Sequence, residues 1–370
     1  MSSLAVEHVR IRAVRILSSV ELEPGARVNV ITGDNGQGKT SLLEAVYLAL
    51  TSRSFRTEQL KETLQVGAGN AVVEARVRQG GLVRTQKVVL RANGRSLSIE
   101  GKRPARLVDY ATATPVIAFQ PGDLNLVAGS AALRRRLLDR LVLYLDPVGA
   151  QARLRFQKGL RERQRLLETR GPGASELDAY ETVLAAEGAR LSSAREYVAA
   201  ELGTALALTF SRLAPENLRL SVSFQPGGTT DPVLFAEELG KRRHIDCRRK
   251  SASFGPQRDE LALTLDGRDA RHAASQGQQR VVALSLKLAE LECVRRRRGV
   301  DPVLLLDDVT SELDRSRVGA VRTVIESSQS QVFVTTTDAS LFIDRIDPGV
   351  GRADFSVVAG QVAKRPGAPA

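Results

Sequence analysis

The sequence predicts an α/β fold: a mixed β-sheet built around one glycine-rich loop, with a helical second lobe inserted between the two halves of that sheet. Three observations predict it. Residues Gly33 to Thr40 read GDNGQGKT and lie between a β-branched run and a helix-forming run. From Ala131 the apolar period changes from two to about three and a half. The last third then alternates helix with strand, the pattern of parallel strands joined by crossovers.

Taken in order, Val6, Val9, Ile11, Val14, Ile16 and Val20 are β-branched residues mixed with charges, and they predict a half-buried antiparallel pair with which the mixed sheet begins. Arg27 to Thr32 reads as a strand. The run from Gly33 to Thr40 fits G-x-x-x-x-G-K-[ST] without a mismatch. Gly33, Gly36 and Gly38 admit positive φ, so the backbone N–H groups of Asp34, Asn35 and Gln37 can curl toward a phosphate. Ser41 to Leu50 has apolar residues at i, i+3, i+4 and i+7, a helix whose positive end faces the same phosphate. Lys39 is placed to reach β and γ phosphates, the Thr40 hydroxyl to ligate Mg²⁺, and Ser41 to complete the contact set. ATP with Mg²⁺ is therefore the expected ligand.

Beyond that helix, Ala71 to Arg78 alternates apolar with charged residues, Gly80-Gly81 turns, Leu82 to Arg91 returns, and Asn93-Gly94 begins another hairpin. Pro115 to Phe119 is the last strand before the insert. Leu133, Leu137, Leu141 and Leu145 share one helical face, and Leu154, Leu160 and Leu167 mark a second helix. Gly171-Pro172-Gly173 breaks the pattern before a long helix through Leu177, Leu191 and Leu206. Strands return at Leu218 to Phe224 and Leu261 to Leu265. Helix Val281 to Arg297, strand Val303 to Leu306, helix Ser316 to Ser327 and strand Val332 to Thr336 follow. The expected division is 1–125 with 255–365 for the loop-bearing lobe, 126–254 for the helical lobe, and 366–370 as a frayed tail.

Composition narrows the classes. Hydrophobic content of 42% and charged content of 26% are those of a globular soluble protein. No apolar run approaches the ~18 residues that cross a bilayer, and there is no signal-peptide pattern, so a cytoplasmic protein with no membrane partner is expected. Cys247 and Cys293 show no CxxC spacing, and His8, His244 and His272 are too few for a metal cluster. The net charge of +12 favours a polyanionic partner such as DNA or RNA, although most of the cations are arginine, a skew that base composition alone can produce.

Val303 to Leu306 feeds directly into Asp307-Asp308. Two acids at a buried strand end call for a nearby cation, and in phosphoryl transfer the first holds Mg²⁺ while the second orients or deprotonates the attacking water. Asp307 follows Lys39 by 268 residues (307 − 39), which implies the large insert. Ser275-Gln276-Gly277-Gln278 opens an apolar helix and makes a second anion site. Its natural use is to cap the γ-phosphate bound by another copy of the chain.

With these parts in order, the chain resembles the ABC-type ATPases and, within them, the RecF family. The resemblance is carried by the glycine loop, by Phe119 to Leu124 (FQPGDL) and by Gly129 followed by Arg134 to Asp139 (RRRLLD). It continues through Gly255 to Asp259 (GPQRD), Ser275 to Arg280 (SQGQQR) with Ser285 to Glu290 (SLKLAE), and Leu304 to Asp314 (LLLDDVTSELD). It implies an ABC-type P-loop ATPase head with a helical lobe, and a weak DNA-stimulated ATPase that hydrolyses ATP to ADP and phosphate. It also implies ATP-dependent homodimerisation on double-stranded and gapped DNA, and work with RecO and RecR to load RecA, with single-strand-binding protein an indirect partner. Residue by residue, it implies phosphate and metal binding by Lys39 and Thr40, γ-phosphate sensing through the metal by Gln120, and a signature acting in trans from Ser275, Gln276, Gly277 and Gln278. Asp307 would be the metal carboxylate, Asp308 the catalytic one, and Asp314 part of a dimer-contact loop.

The sequence departs from these patterns in three places. Asp308 stands where transporter ATPases carry glutamate, shorter by about 1.5 Å, which should slow hydrolysis. Thr335, Thr336 and Thr337 stand where a sensor histidine would follow the strand, and Gln257 stands where the family's Gly-Pro-His-Arg-Asp run has histidine. Arg134 to Arg136, Lys241 to Arg243, Arg248 to Lys250 and Arg295 to Arg298 are the densest cationic runs and candidates for duplex contact, with Arg135 and Arg136 also placed to pair with Asp139. Few aromatics and no tryptophan argue against stacking on single strands. The alternatives are an ATPase subunit of a membrane transporter, against which count the 155 residues from Gln120 to Ser275 (275 − 120) and the absent histidine, and a non-hydrolysing structural head.

Overall fold

The computed structural model describes residues 4–214, 217–308, 329–338 and 351–365. The predicted helix from Ser316 to Ser327, the run from Ser311 to Asp314 and the tail 366–370 lie outside the described residues. The chain divides into two compact units, one of Met1–Asp123 with Val294–Ala370 and one of Leu124–Cys293. The sequence reading drew its boundaries at 125/126 and 254/255, so residues 255–293 group with the helical unit.

The first unit contains two sheets with a helix between them. In chain order its elements are β1 (Leu4–Val14), β2 (Leu17–Leu22), β3 (Val28–Thr32), α1 (Lys39–Thr51), β4 (Asn70–Gln79), β5 (Leu82–Arg91), β6 (Gly94–Ile99), α2 (Leu107–Ala111) and β7 (Val116–Phe119). The six-stranded mixed sheet has the order β14-β13-β3-β12-β11-β7, where β11 is Val303–Leu306, β12 Val332–Thr336, β13 Arg352–Val358 and β14 Gln361–Arg365. All its strand pairs are parallel except β13 with β14. Strands β3, β11 and β12 are buried at every position, as parallel strands covered on both faces must be.

Strands β1 and β2 correct the sequence reading. They do not begin the mixed sheet; they belong to a separate antiparallel sheet of order β2-β1-β4-β5-β6. The reason is visible in β1, where buried and half-exposed residues alternate along much of the strand: a one-faced surface suits an antiparallel sheet and not the doubly covered one. Helix α1 fills the space between, with Leu42, Leu43, Val46, Leu48 and Leu50 fully buried in one core with Val9, Ile11, Val73 and Val88 of one sheet and Ile31, Phe333 and Phe355 of the other. The hairpin β13–β14 was not foreseen, although Ala353, Phe355 and Val357 alternate and Ala359-Gly360 turns.

The second unit holds α3 (Asn125–Ala128), α4 (Ala131–Leu145), α5 (Pro147–Arg170), α6 (Leu177–Leu213), β8 (Leu220–Gln225), α7 (Pro232–Lys241), α8 (Arg243–Arg249), β9 (Glu260–Leu265), β10 (Arg268–Asp269) and α9 (Ala270–Ala273). It also holds most of α10 (Gln276–Arg298). Strands β8 to β10 form their own antiparallel sheet. Phe156, Leu184, Leu191, Phe235 and Leu239 form the apolar centre among α5, α6 and α7. Beside it the fully buried Arg163 donates to Glu181, Asp246 and the Leu239 carbonyl at 2.8 Å each, which meets the requirement that a buried charge be paired and hydrogen-bonded. Among the described residues no helix is long and apolar enough to cross a membrane.

Candidate nucleotide site

The mixed sheet brings the sequence motifs together along one edge. Parallel registers align Phe119 of β7 with Leu306 of β11, Leu306 with Val334 of β12, and Val334 with Val30 of β3. At the ends of these strands or just past them lie Gln120, Asp307, Thr335 to Thr337 and Gly33. They therefore share the C-terminal end of the sheet, where open α/β sheets place ligands.

Gly33, Gly36 and Gly38 take φ of 155°, 81° and 114°. A Cβ on Gly33 would lie 2.3 Å from the Val357 carbonyl oxygen, so the loop depends on glycine there, whereas one on Gly36 would meet nothing within 4 Å. The first turn of α1 has no side-chain cap, which leaves its N–H groups for an anion. Lys39 Nζ arches back over the loop to the carbonyls of Gly33 at 2.7 Å and Asp34 at 2.9 Å. Asn35 is exposed, and Gln37 is held from far along the chain: Ala359 N donates to its Oε1 at 2.6 Å and Gly360 N to its carbonyl at 2.9 Å. Ser41 is buried at the start of the helix.

The two motif halves meet at Asp307. Thr40 Oγ1 donates to Asp307 Oδ1 at 3.0 Å, and Thr335 Oγ1 donates to the same oxygen at 2.9 Å while accepting from Asp308 N at 2.8 Å. Burial pushes the Asp307 carboxyl above the usual carboxylate range; the Thr335 and Thr40 hydroxyls oppose this, Asp308 adds to it, and the Arg56 charge works against it. Such a carboxylate gains most from a cation beside it. Asp308 is left-handed, φ 49°, a conformation Asp tolerates better than most residues. Gln120 Nε2 donates to the Phe55 carbonyl at 3.1 Å and Gln120 N to Asp123 Oδ2 at 2.9 Å.

The residues fit a nucleoside triphosphate with a hard cation. Thr40, Asp307 and Gln120 offer hydroxyl, carboxylate and amide oxygens, the donor class Mg²⁺ prefers. The loop offers backbone N–H groups and an ammonium for phosphate. Thr335, which the sequence reading left without a role, fixes Asp307; Thr336 instead exchanges hydrogen bonds with the backbone of Asp338, and Thr337 is exposed. Sequence reasoning also missed Arg56. Its guanidinium pairs with the fully buried Glu44 of α1 at 3.3 Å, beside Arg15 and Ser54 on the same carboxylate. No motif marks Arg56, because its role depends on where the segment after α1 folds.

In the second unit Ser275 to Gln278 forms a reciprocal cap on α10. Ser275 N donates to Gln278 Oε1 at 2.8 Å and Gln278 N donates to Ser275 Oγ at 3.2 Å, the S-x-x-Q form of the capping box. Ser275 and Gln276 are exposed, Gly277 and Gln278 half-buried. Around Asp139 the expected partners change: it pairs with Arg153 and Arg195, while Arg135 donates to the Asp259 carbonyl at 2.8 Å. Geometry explains this, since α6 brings Arg195 to Asp139 and Asp259 together, tying the RRRLLD and GPQRD segments.

Fold and loop together define an ABC-type ATPase head. The family described as RecF/RecN/SMC N-terminal domain matches residues 5–348. The chain is 36% identical over 338 residues to the DNA replication and repair protein RecF of Myxococcus xanthus (strain DK1622), covering 88% of this chain and 89% of that one. It is also 36% identical over 373 residues to that of Anaeromyxobacter sp. (strain Fw109-5), covering 98% of each. Among solved structures it is similar to the recombination mediator protein RecF with ATP in the RecFOR pathway, with TM-score 0.88, 28% identity and 98% coverage of both chains. The Smc head domain of Pyrococcus furiosus shares the fold at TM-score 0.56 and 16% identity. The chain belongs to the RecF family.

Proposed function

We propose that this chain is an ATP-gated DNA clamp of recombinational repair and replication. The observation that carries the reading is the hydrogen bond from Thr40 to Asp307, which joins the phosphate loop to the carboxylate strand across 267 residues. Lys39 and the loop N–H groups bind the phosphates, and Thr40, Asp307 and Gln120 hold Mg²⁺, whose charge offsets that of the triphosphate. Asp308 orients the attacking water as general base, and its short side chain keeps hydrolysis slow. Ser275 to Gln278 of a second copy caps the γ-phosphate, so that ATP joins two heads and hydrolysis lets them part.

The cycle runs on double-stranded and gapped DNA in the cytoplasm, with RecO and RecR as co-workers in loading RecA onto DNA bound by single-strand-binding protein. What supports a role in DNA repair is the likeness to relatives named DNA replication and repair protein and to a recombination mediator of the RecFOR pathway. A gel-shift series on duplex, gapped and single-stranded DNA, with and without ATP, tests the reading. Duplex-containing substrates are expected to shift more in ATP. Equal mobility in all lanes would remove the DNA clamp from the account.

A further inference from the structure

Glu44 stands in the second turn of α1 and is fully buried. A carboxylate there is costly unless its oxygens are taken up, and both are. Oε1 accepts from Arg15 Nη2 at 3.0 Å and Ser54 Oγ at 2.5 Å, and Oε2 accepts from Arg15 Nε at 3.0 Å and Arg56 Nη1 at 3.3 Å. Together these donors fill the lone-pair sites of the group. The bland account makes Glu44 the counter-ion of Arg15. Arg15 supplies only part of the set, however; the other bonds come from the segment after α1.

That segment is held against one face of the helix. Ser54 Oγ accepts from Arg56 N at 3.0 Å and Thr57 N at 3.1 Å while it donates to Glu44, so the carboxylate holds a whole turn and not one side chain. Tyr47 shares the helical face of Glu44 and packs edge-on against Phe55, with ring centroids 5.5 Å apart. Phe55 lies between the residues that bond Glu44, and its carbonyl accepts from Gln120 Nε2 at 3.1 Å. The backbone of Gln120 is fixed separately. Its N donates to Asp123 Oδ2 and its carbonyl accepts from Asp123 N, each at 2.9 Å, while the Phe119 carbonyl accepts from Asp307 N at 2.8 Å. What remains to be set is the side-chain amide. A carbonyl only accepts, so Phe55 takes the amide nitrogen and turns the oxygen the other way.

We propose that Glu44 is a positioning residue for the metal: through Ser54 it places the Phe55 carbonyl, which orients the Gln120 amide so that its oxygen meets Mg²⁺. This role rests on the contact of Gln120 with Mg²⁺ in the proposed function and deepens it. Because Glu44 and Lys39 belong to one helix, the helix that binds phosphate also sets the glutamine that binds the metal.

The test is equilibrium binding of a fluorescent, non-hydrolysable ATP analogue to the full chain, once in Mg²⁺ and once in EDTA. The ratio of the two affinities reads the metal's contribution without any hydrolysis. Ser54→Ala removes the tether and leaves Glu44 paired with Arg15 and Arg56, so the fold should persist. Loss of one hydrogen bond shifts an equilibrium by about 5-fold. The Mg²⁺-to-EDTA ratio should fall by that factor, while affinity in EDTA, set by Lys39 and the loop, stays at the wild-type value. Glu44→Gln, which also removes the charge, should lower the ratio at least as far. Added to Gln120→Ala, Ser54→Ala should change the ratio no further, a non-additivity that a merely structural loss would not produce. A wild-type ratio in Ser54→Ala, or the same fall when it is added to Gln120→Ala, overturns the positioning role and leaves Gln120 at the metal. A ratio unchanged by Gln120→Ala itself overturns both.

Discussion

Thr335 donates its hydroxyl hydrogen to Asp307 Oδ1 and takes one from the backbone N–H of Asp308. One side chain thus fixes both carboxylate residues of the site, from a strand that carries no recognised motif. Removing it by Thr335→Val should leave β12 intact, because the position is buried and β-branched, while freeing Asp307 to rotate. Losses of this kind weaken metal binding by about 10-fold. Titration of Mg²⁺ against ATP hydrolysis should show half-saturation raised by that factor, and an unchanged curve would mean Asp307 is fixed without Thr335.

Lys39→Ala removes the ammonium that bridges the Gly33 and Asp34 carbonyls and that the proposed function assigns to the phosphates. Nucleotide affinity should fall by about 100-fold, equivalent to about 2.7 kcal/mol, read by equilibrium binding of a fluorescent ATP analogue. Retained affinity would mean the loop N–H groups suffice.

Gly33→Ala forces a Cβ to within 2.3 Å of the Val357 carbonyl oxygen at a φ of 155°. The loop must separate from β13, at a cost of about 3 kcal/mol. A thermal melt should drop by about 5 to 10 °C, with loss of nucleotide binding. The equivalent change at Gly36, where a Cβ has open space, should cost less.

Glu290 supplies a pH test. Burial acts to raise its carboxyl, but Arg140 and Lys287 overcome this and hold it at about 2, below the ordinary 4.5. A depressed carboxylate contributes stability that is fully present above pH 4.5 and lost as pH falls from there toward 2, on the order of 3 kcal/mol. Glu290→Gln should therefore lower the urea midpoint at neutral pH, and its deficit relative to wild type should narrow on acidification through that window. A deficit independent of pH would assign the effect to packing.

The parts legible in the sequence are those whose signal is local. The glycine loop, the strands Val303 to Leu306 and Val332 to Thr336, and the hairpins of β4 to β6 depend on neighbours a few residues away, and they stand where periodicity put them. Assignment of β1 and β2 to a separate sheet was not legible, since pairing partners are chosen by tertiary packing. The grip of Ala359 and Gly360 on Gln37 and the bond from Thr335 to Asp307 join residues remote along the chain. The burial of Arg134 was not legible for the same reason: it reads as a surface charge until Glu260 folds against it.

The central claim, that two copies share one ATP between the loop of one and the Ser275 turn of the other, is tested most directly by light scattering of the full chain with Mg²⁺ and ATP. The account predicts a doubled mass for wild type and a monomer for Ser275→Ala that still binds ATP. A wild-type mass unchanged by ATP would contradict it.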